Sequence, residues 1–456
     1  MHRNAQLLYL KEYVPSLFIF GVSIVTVLEV AYMVKYISTV FLFLFYSCYQ
    51  PEEIEKYPHS LPVVRLRIDE CYLWSPDSGL FVKGNNGIST SEFPFDANFN
   101  QKWEYPARFE YYENNQLILK ENIGFRIKGR GSRKNPMKTV GLYWRGEYGK
   151  STLEYPMFPE SKNSTYKRLL LRSSGNDFGK TQLKDATVAT IHKDYSHVDF
   201  QEYKPCVVYV NNDYWGIMNI REMITPRHFL YHYGVDHNEV DLLEGSDLNP
   251  VVDDGSADDF LADVINFIRH NDLSLNENYY ELLNRIHIES FIDNIIINTY
   301  VANTDWPSRN TRWWRDKTSG NHNKWKWVVY DADYAFRQLN KDIVWIGDLY
   351  GDPYNIHLES GFFIFNHLIK NDEFVKRFLD RYLFFIDVVF EKERVASIVE
   401  TNRLRIDEEY NSHRRKWNLM SRTRWMAEVD ELVKVNNYRN NLMRELITAL
   451  QQEREL

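Results

Sequence analysis

Two acidic segments late in the chain, residues 303–310 and 330–333, carry residue types whose spacing fits metal-assisted phosphoryl transfer. In the first segment Asp305 and Asn310 are five positions apart. The second segment comes directly after a predicted apolar strand. In this chemistry one carboxylate orients or deprotonates the acceptor hydroxyl, and other oxygen donors hold Mg²⁺. We therefore predict Asp305 as the catalytic residue and predict three metal ligands: Asn310, Asp331 and Asp333.

The spacing of Asp305 and Asn310 is also that of the Asp and Asn in the catalytic loop of protein kinases. Asp331 then takes the position of a second metal-binding Asp. The alternative is structural, because Asp and Asn are common in turns, where their side chains bond nearby backbone. Four such residues in one loop and at one strand end favour the chemical interpretation.

A second segment, residues 125–138, has the composition of a phosphate-binding turn. Its glycines and Ser132 allow backbone amides to approach phosphate oxygens, and Lys138 adds a positive charge. A plain basic hairpin is the alternative, and the chain has no GxxxxGK[ST] sequence. Glu222, after a predicted buried strand, is predicted to hold a phosphate-binding lysine as the kinase ion pair does. A structural salt bridge with a nearby arginine is its alternative.

Composition limits the remaining classes of function. The 456 residues are 44% apolar and 15% aromatic, which indicates an ordered protein. A net charge of −8 gives no sign of nucleic-acid binding. The three cysteines form no CxxC pair, which argues against a zinc cluster. The histidines show no metal-ligand spacing either. This interpretation extends to His228 and His232, which are four positions apart on a predicted helix.

The N-terminal region predicts export and membrane attachment. Residues 14–34 form an apolar stretch that is long enough to cross a bilayer. A second apolar run ends in Phe45-Tyr46-Ser47-Cys48, which resembles a bacterial lipobox if translation starts at Met33. Cys48 is then the lipidated first residue of the mature protein. An uncleaved membrane anchor and a buried core helix are the two alternatives.

Periodicity predicts an α+β protein. Strand-like runs dominate residues 61–220, and helix-like spacing dominates most of the later chain, apart from a strand over 325–330. Residues 247–255 are interpreted as an acidic, glycine-containing loop. The predicted divisions are a signal or anchor segment at 1–49, a main domain at 50–420 and a C-terminal helix at 421–456.

Several segments together resemble the CotH kinase family, named after spore coat protein H. They are residues 126–138, 171–177, 208–222, 303–310 and 325–333, with weaker matches at 374–382 and 413–417. The resemblance implies a divergent version of the two-lobed protein-kinase fold, strand-rich in its N-terminal half and helix-rich in its C-terminal half. It also implies ATP and Mg²⁺ (or Mn²⁺) as cofactors, and Ser or Thr of exported proteins as the acceptors.

The same resemblance implies roles for individual residues. Asp305 resembles the catalytic Asp, Asn310 a metal-site residue and Asp331 the main metal ligand. Nucleotide phosphate contacts are implied for Arg130 and Lys138. One departure is Pro307, which stands where the usual kinase loop has a lysine.

Two other functions remain open. One is a non-catalytic surface interaction protein, a pseudokinase or adhesin that keeps the fold. The other is a nucleotide-sugar transferase, in which Asp331-Ala332-Asp333 is a DxD metal motif, although this leaves Asp305 and Asn310 unexplained.

Overall fold

The computed structural model describes residues 59–91, 93–307, 309–318, 323–336 and 362–454, with no side chain for Phe93. All of them belong to one unit, Pro58–Leu456. The predicted lipobox and Cys48 lie outside the described residues. Among the helices that the structure describes, none has the length and apolar character required to cross a bilayer.

Strands occupy most of the first half of the described chain. In chain order, β1 to β16 are Val63–Arg67, Ile88–Thr90, Phe93–Ala97, Tyr105–Glu113, Gln116–Ile127, Val140–Tyr143, Leu153–Glu154, Thr165–Tyr166, Arg168–Arg172, Asp199–Phe200, Tyr203–Val210, Asp213–Glu222, Val240–Gly245, Pro250–Asp254, Thr311–Asp316 and Lys326–Val329. Seven of them form a closed barrel in the order β1-β11-β12-β9-β6-β5-β4. Only β1 and β11 are parallel among these barrel neighbours.

Alternating apolar side chains fill the barrel. Val64, Phe109, Leu142 and Leu171 are each fully buried, and burial of one such side chain contributes about 1.5–3 kcal/mol. The predicted hairpin after Val210 is confirmed, since β11 and β12 pair in antiparallel register across it. Asn211 takes the positive φ of 56° that such a short turn needs.

A second sheet has the order β10-β16-β15-β13-β14. Its strands come from residues 199–200 and 240–329, so the later part of the chain contains more strand than the sequence predicted. Pro250–Asp254 is a strand and not the loop that we predicted, because it pairs with β13. β16 ends at Val329, immediately before the acidic segment.

Helices dominate the remainder. In chain order, α1 to α10 are Glu70–Trp74, Lys184–His192, Pro226–Tyr233, Phe267–His270, Asn276–Leu282, Ile288–Tyr300, Phe363–Leu368, Asp372–Phe384, Lys392–Trp417 and Arg422–Glu453. A π-helical segment precedes α4 and another follows α8. Mixed sheet and helix, with the longest helices last, is the α+β composition that the sequence predicted.

Helix α6 carries the first acidic segment at its C-terminal end. Every residue of α6 except Glu289 is buried, so the helix is fixed on all sides. Its last carbonyls accept hydrogen bonds from the buried guanidinium of Arg439 on α10. Arg439 Nε lies 2.9 Å from the Tyr300 oxygen, and Nη2 lies 2.7 Å from the Thr299 oxygen. A cation at this position adds hydrogen bonds to the last carbonyls and interacts favourably with the helix dipole.

Helix α9 packs against the barrel through His413. The backbone N–H of Ile217 in β12 donates to His413 Nδ1 at 3.0 Å. Gly216, at φ +125°, permits this approach, because a Cβ there would lie 2.5 Å from the same nitrogen. Burial lowers the pKa of His413 to about 3. The histidine is therefore a neutral hydrogen-bonding group that holds a late helix on an early strand.

Candidate active site

The loop after α6 presents Asp305. Ala302, at φ +49°, ends the helix. The side-chain amide of Asn303 then donates to Asn298 Oδ1 at 3.0 Å, and the Thr311 hydroxyl donates to the Pro307 carbonyl at 2.8 Å. Both ends of the loop are thus tied to regular elements, and the half-buried Asp305 lies between them. This is the arrangement in which a rigid scaffold displays a catalytic group.

Asn310 and Asp331, the two residues predicted to share a metal, lie next to each other. The Asn310 side-chain amide donates to the backbone carbonyl of Asp331 at 3.2 Å. Both residues have left-handed backbone conformations, with φ of 57° and 59°. Asn and Asp tolerate this region better than most residues, but it still carries strain, and such strain concentrates at functional sites.

Arg172, at the end of barrel strand β9, joins the barrel to the second acidic segment. Its Nη2 lies 2.9 Å from Asp333 Oδ2 and also contacts the carboxylate of Asp331. Its Nε lies 3.2 Å from Asp185 Oδ2 on helix α2. Asp185 in turn contacts the buried guanidinium of Arg221 and accepts the backbone N–H of Ala332 at 2.9 Å. The site therefore lies where the end of β9 meets the end of β16.

Asp333 is the most deeply buried of the predicted ligands. The backbone N–H of Asn176 donates to its Oδ2 at 3.0 Å, and the Asn176 side chain donates to Oδ1 at 3.2 Å. Burial, and then the charge of Asp331, raise the pKa of Asp333 to about 8 against the opposing effect of Arg172. Burial and the charge of Asp331 thus disfavour the ionised form of Asp333. A divalent cation bound by its oxygens would favour that form instead.

Gly175 makes the contact between Asn176 and Asp333 possible. It has φ +54°, and a Cβ at this position would lie 1.9 Å from Asp333 Oδ2. Asp333 cannot retreat without losing its bonds to Arg172 and Asn176, so only glycine fits the turn.

We expect Gly175→Ala to lower the free energy of unfolding by roughly 1–3 kcal/mol more than Gly234→Ala does. Gly234 is a matched control because its φ is +73° and its Cβ would meet no atom within 4 Å. The Gly234→Ala variant thus measures only the free-energy cost of placing alanine at a positive φ. Urea unfolding of the two full-length variants provides the comparison, and equal losses would show that the Asn176–Asp333 contact contributes nothing.

A cavity of about 220 Å³ opens beside Asp333. Its other lining residues are Asn176, Lys180, Lys184 and Tyr334. Two ammonium groups beside an acidic cluster suit an anionic ligand that also binds a cation, as a nucleotide phosphate does. Neither lysine is among the residues predicted from the sequence, and no role was predicted for three further residues of the site: Arg172, Asn176 and Asp185. The first two of these three lie inside the segment 171–177, which already matched the family.

The predicted phosphate-binding loop lies next to this site, but not all of its charged side chains face the site. The Asn135 side chain donates to the Gly175 carbonyl at 3.0 Å. Ser132 lies in the 3₁₀ turn Gly131–Lys134, at the loop's tip. Arg130 is 64% exposed and pairs with Glu244 of the second sheet at 2.6 Å. The loop is thus adjacent to the turn that holds Asp333.

Lys138 has internal partners. Its Nζ donates to the carbonyls of Arg133 at 2.5 Å and Asn135 at 3.1 Å, and lies 4.2 Å from the centre of the Phe99 ring. Burial lowers its pKa to about 8. These contacts make Lys138 an organiser of the loop, and its contact with phosphate stays a prediction.

Glu222 is engaged by histidines. Its carboxylate lies 2.9 Å from His232 Nε2 and 3.5 Å from His228 Nδ1, both on helix α3. Among the described residues, the basic side chains that contact it are these two histidines and not a lysine. The structure therefore does not bring it to the position that a lysine-holding role requires.

Known proteins that are similar to this chain include a kinase family and a solved kinase structure. The family described as "CotH kinase protein" matches residues 125–443. A crystal structure of a Helicobacter pylori proinflammatory kinase, CtkA, aligns with 74% of this chain and 95% of its own, at 13% identity and a TM-score of 0.27. A search of curated proteins gave no match.

Proposed function

Because the chain belongs to the CotH kinase family, we propose that it is an atypical protein kinase. It transfers the γ-phosphate of ATP to Ser or Thr of exported proteins and uses Mg²⁺ (or Mn²⁺). In this proposal the barrel and the later sheet and helices are the two lobes of a divergent kinase fold. The observation that carries it is the meeting of Arg172, Asn310, Asp331 and Asp333 beside a cavity lined by lysines.

The oxygen donors present fit a hard divalent cation. Asp331, Asp333 and Asn310 would hold it, since carboxylate and amide oxygens are the ligands that such a cation takes. The cation, when bound, neutralises charge on the phosphate oxygens.

The remaining roles belong to the chain itself. Asp305 orients the acceptor hydroxyl and takes its proton. Lys180 and Lys184 attract the phosphates into the cavity. Arg172 positions Asp331 and Asp333 relative to the barrel, and the loop with Arg130, Ser132 and Lys138 flanks the nucleotide.

The test is transfer of labelled phosphate from ATP by the full-length protein, to itself or to a generic acceptor such as casein. We expect transfer that requires Mg²⁺ or Mn²⁺ and stops when EDTA removes the ion. Calorimetry should show ATP binding only with the ion present. Absence of ion-dependent ATP binding would contradict the proposal.

That negative result would favour the second candidate, a non-catalytic surface interaction protein. Two observations speak for it. Pro307 replaces a kinase lysine, and Arg172 already occupies the carboxylates of Asp331 and Asp333. The calorimetric measurement separates the two functions.

We also propose that the protein is exported and attached to the membrane by lipid on Cys48. We expect Cys48→Ser to remove lipid labelling and to release the protein from the membrane fraction, while Cys71→Ser changes neither. Retention of Cys48→Ser in the membrane would favour an uncleaved helix instead.

A further inference from the structure

A second cluster of potential metal ligands lies away from the acidic site, where the barrel meets helix α3. Glu222 is the last residue of strand β12, and His228 and His232 are one turn apart on α3. Residues four apart on a helix share a face. One ligand atom from each of the three residues lies within 4.8 Å of the others.

Two atoms of this cluster are buried and have no hydrogen-bond partner. They are Glu222 Oε2 and His228 Nδ1, on side chains that are 3% and 4% exposed. They face each other at 3.5 Å, too far for an ordinary hydrogen bond. Buried polar atoms in native proteins are nearly always satisfied, so an unpaired donor–acceptor set of this kind points to a ligand between them.

The separation fits a shared metal ion. Ligands at about 2.1 Å from a tetrahedral ion lie about 3.4 Å from one another, close to the 3.5 Å between Glu222 Oε2 and His228 Nδ1. His232 Nε2 already lies 2.9 Å from the other carboxylate oxygen. A small rotation of the partly exposed His232 side chain brings it to the same centre.

The protonation of the cluster also suits a cation. Burial lowers the pKa of His228 to about 4, so its imidazole is neutral and able to coordinate. Although burial opposes it, the two histidines hold the pKa of Glu222 below its ordinary value. Two further carboxylates act on these groups. Against the larger effect of burial on each histidine, the charge of Asp199 favours the protonated form of both, and the charge of Glu222 contributes to a raised pKa of Glu202.

Space for a fourth ligand lies beside the cluster. A cavity of about 20 Å³ borders Glu222 and His228. This volume holds one water molecule. Two imidazoles, one carboxylate and one water are a donor set that zinc takes in proteins.

We propose that Glu222, His228 and His232 form a binding site for one Zn²⁺ ion. The site joins the end of β12 to α3. Helix α3 in turn stacks Phe229 on Trp314 of β15, with ring centres 3.9 Å apart. The ion therefore connects the barrel to the second sheet, whose neighbouring strand β16 leads to Asp331. The site is separate from the proposed Mg²⁺ site and does not depend on the kinase proposal.

The test uses full-length protein that carries no polyhistidine tag. After treatment with a chelator, the protein is titrated with ZnCl₂ in competition with a chromophoric chelator, and separately with Co²⁺ while the visible spectrum is recorded. We expect one Zn²⁺ per chain, the absorption bands of a four-coordinate Co²⁺ centre, and a higher melting temperature with Zn²⁺.

His232→Ala is the decisive variant because this side chain is 25% exposed and its truncation leaves the buried pair in place. We expect at least about tenfold weaker Zn²⁺ binding. His237→Ala removes a nearby histidine outside the cluster, and this variant should bind Zn²⁺ as the wild type does. The proposal is overturned if the wild-type protein binds no Zn²⁺, or if His232→Ala binds it equally well.

Discussion

Replacement of Asp305 or Asp331 by Asn should reduce phosphate transfer by at least on the order of 100-fold, or about 2.7 kcal/mol of transition-state stabilisation. Each change keeps the shape of the side chain and removes one charge. Asp305→Asn removes the group proposed to accept the hydroxyl proton, so we expect a loss in kcat with ATP binding retained. Asp331→Asn removes a proposed cation ligand, so ATP binding should also require more Mg²⁺.

Initial rates over a range of Mg²⁺ and ATP concentrations distinguish these two outcomes. Asp380→Asn is the matched control, since Asp380 is an exposed carboxylate paired with Lys376, and it should keep full activity. Melting temperatures establish that each variant is folded. Full activity in folded Asp305→Asn and Asp331→Asn would remove the basis for the assigned site.

Asp185→Asn should lower the free energy of unfolding by roughly 3–5 kcal/mol. Asp185 contacts Arg221, which is 1% exposed, and lies 3.2 Å from Arg172 Nε. The Asn oxygen still accepts the Ala332 N–H, but its NH₂ group takes the place of Oδ2 and presents a donor to both guanidinium groups. The buried Arg221 then loses its carboxylate partner, while Arg172 keeps Asp331 and Asp333.

The comparison for this variant is Asp387→Asn, which breaks an exposed Asp–Arg pair with Arg444. Exposed pairs contribute at most about 1 kcal/mol. Urea denaturation of both variants measures the difference. A loss in Asp185→Asn no larger than that in Asp387→Asn would show that the buried cluster is dispensable for stability.

The sequence predicted the acidic segments well because they come after elements with strong periodicity. Helix α6 and strand β16 are apolar enough to be recognised, and the residues at their ends are therefore placed correctly. Asn310 and Asp331 are neighbours in the structure. Their shared metal stays a prediction.

The site residues that were not predicted from the sequence make contacts between elements that are far apart in the chain. Arg172 and Asp185 are ordinary charged residues until β9 and α2 bring them to Asp333, and nothing in local spacing marks that meeting. The histidine cluster was not predicted for the same reason. His228 and His232 lie on one helix, but the third residue of the cluster, Glu222, comes from the end of a barrel strand. Strand β14 was missed because its side chains are exposed and its pairing with β13 alone defines it.

The late position of Arg439 in the sequence affects the order in which the contacts around the Asp305 loop form during synthesis. The loop that presents Asp305 follows a helix whose last two carbonyls accept hydrogen bonds from this guanidinium, which comes more than 130 positions later in the chain. During synthesis the acidic loop emerges long before its support. The hydrogen bonds from Arg439 therefore form only after the first part of α10 has been synthesised, whereas the ties from Asn303 to Asn298 and from Thr311 to Pro307 need no later residue.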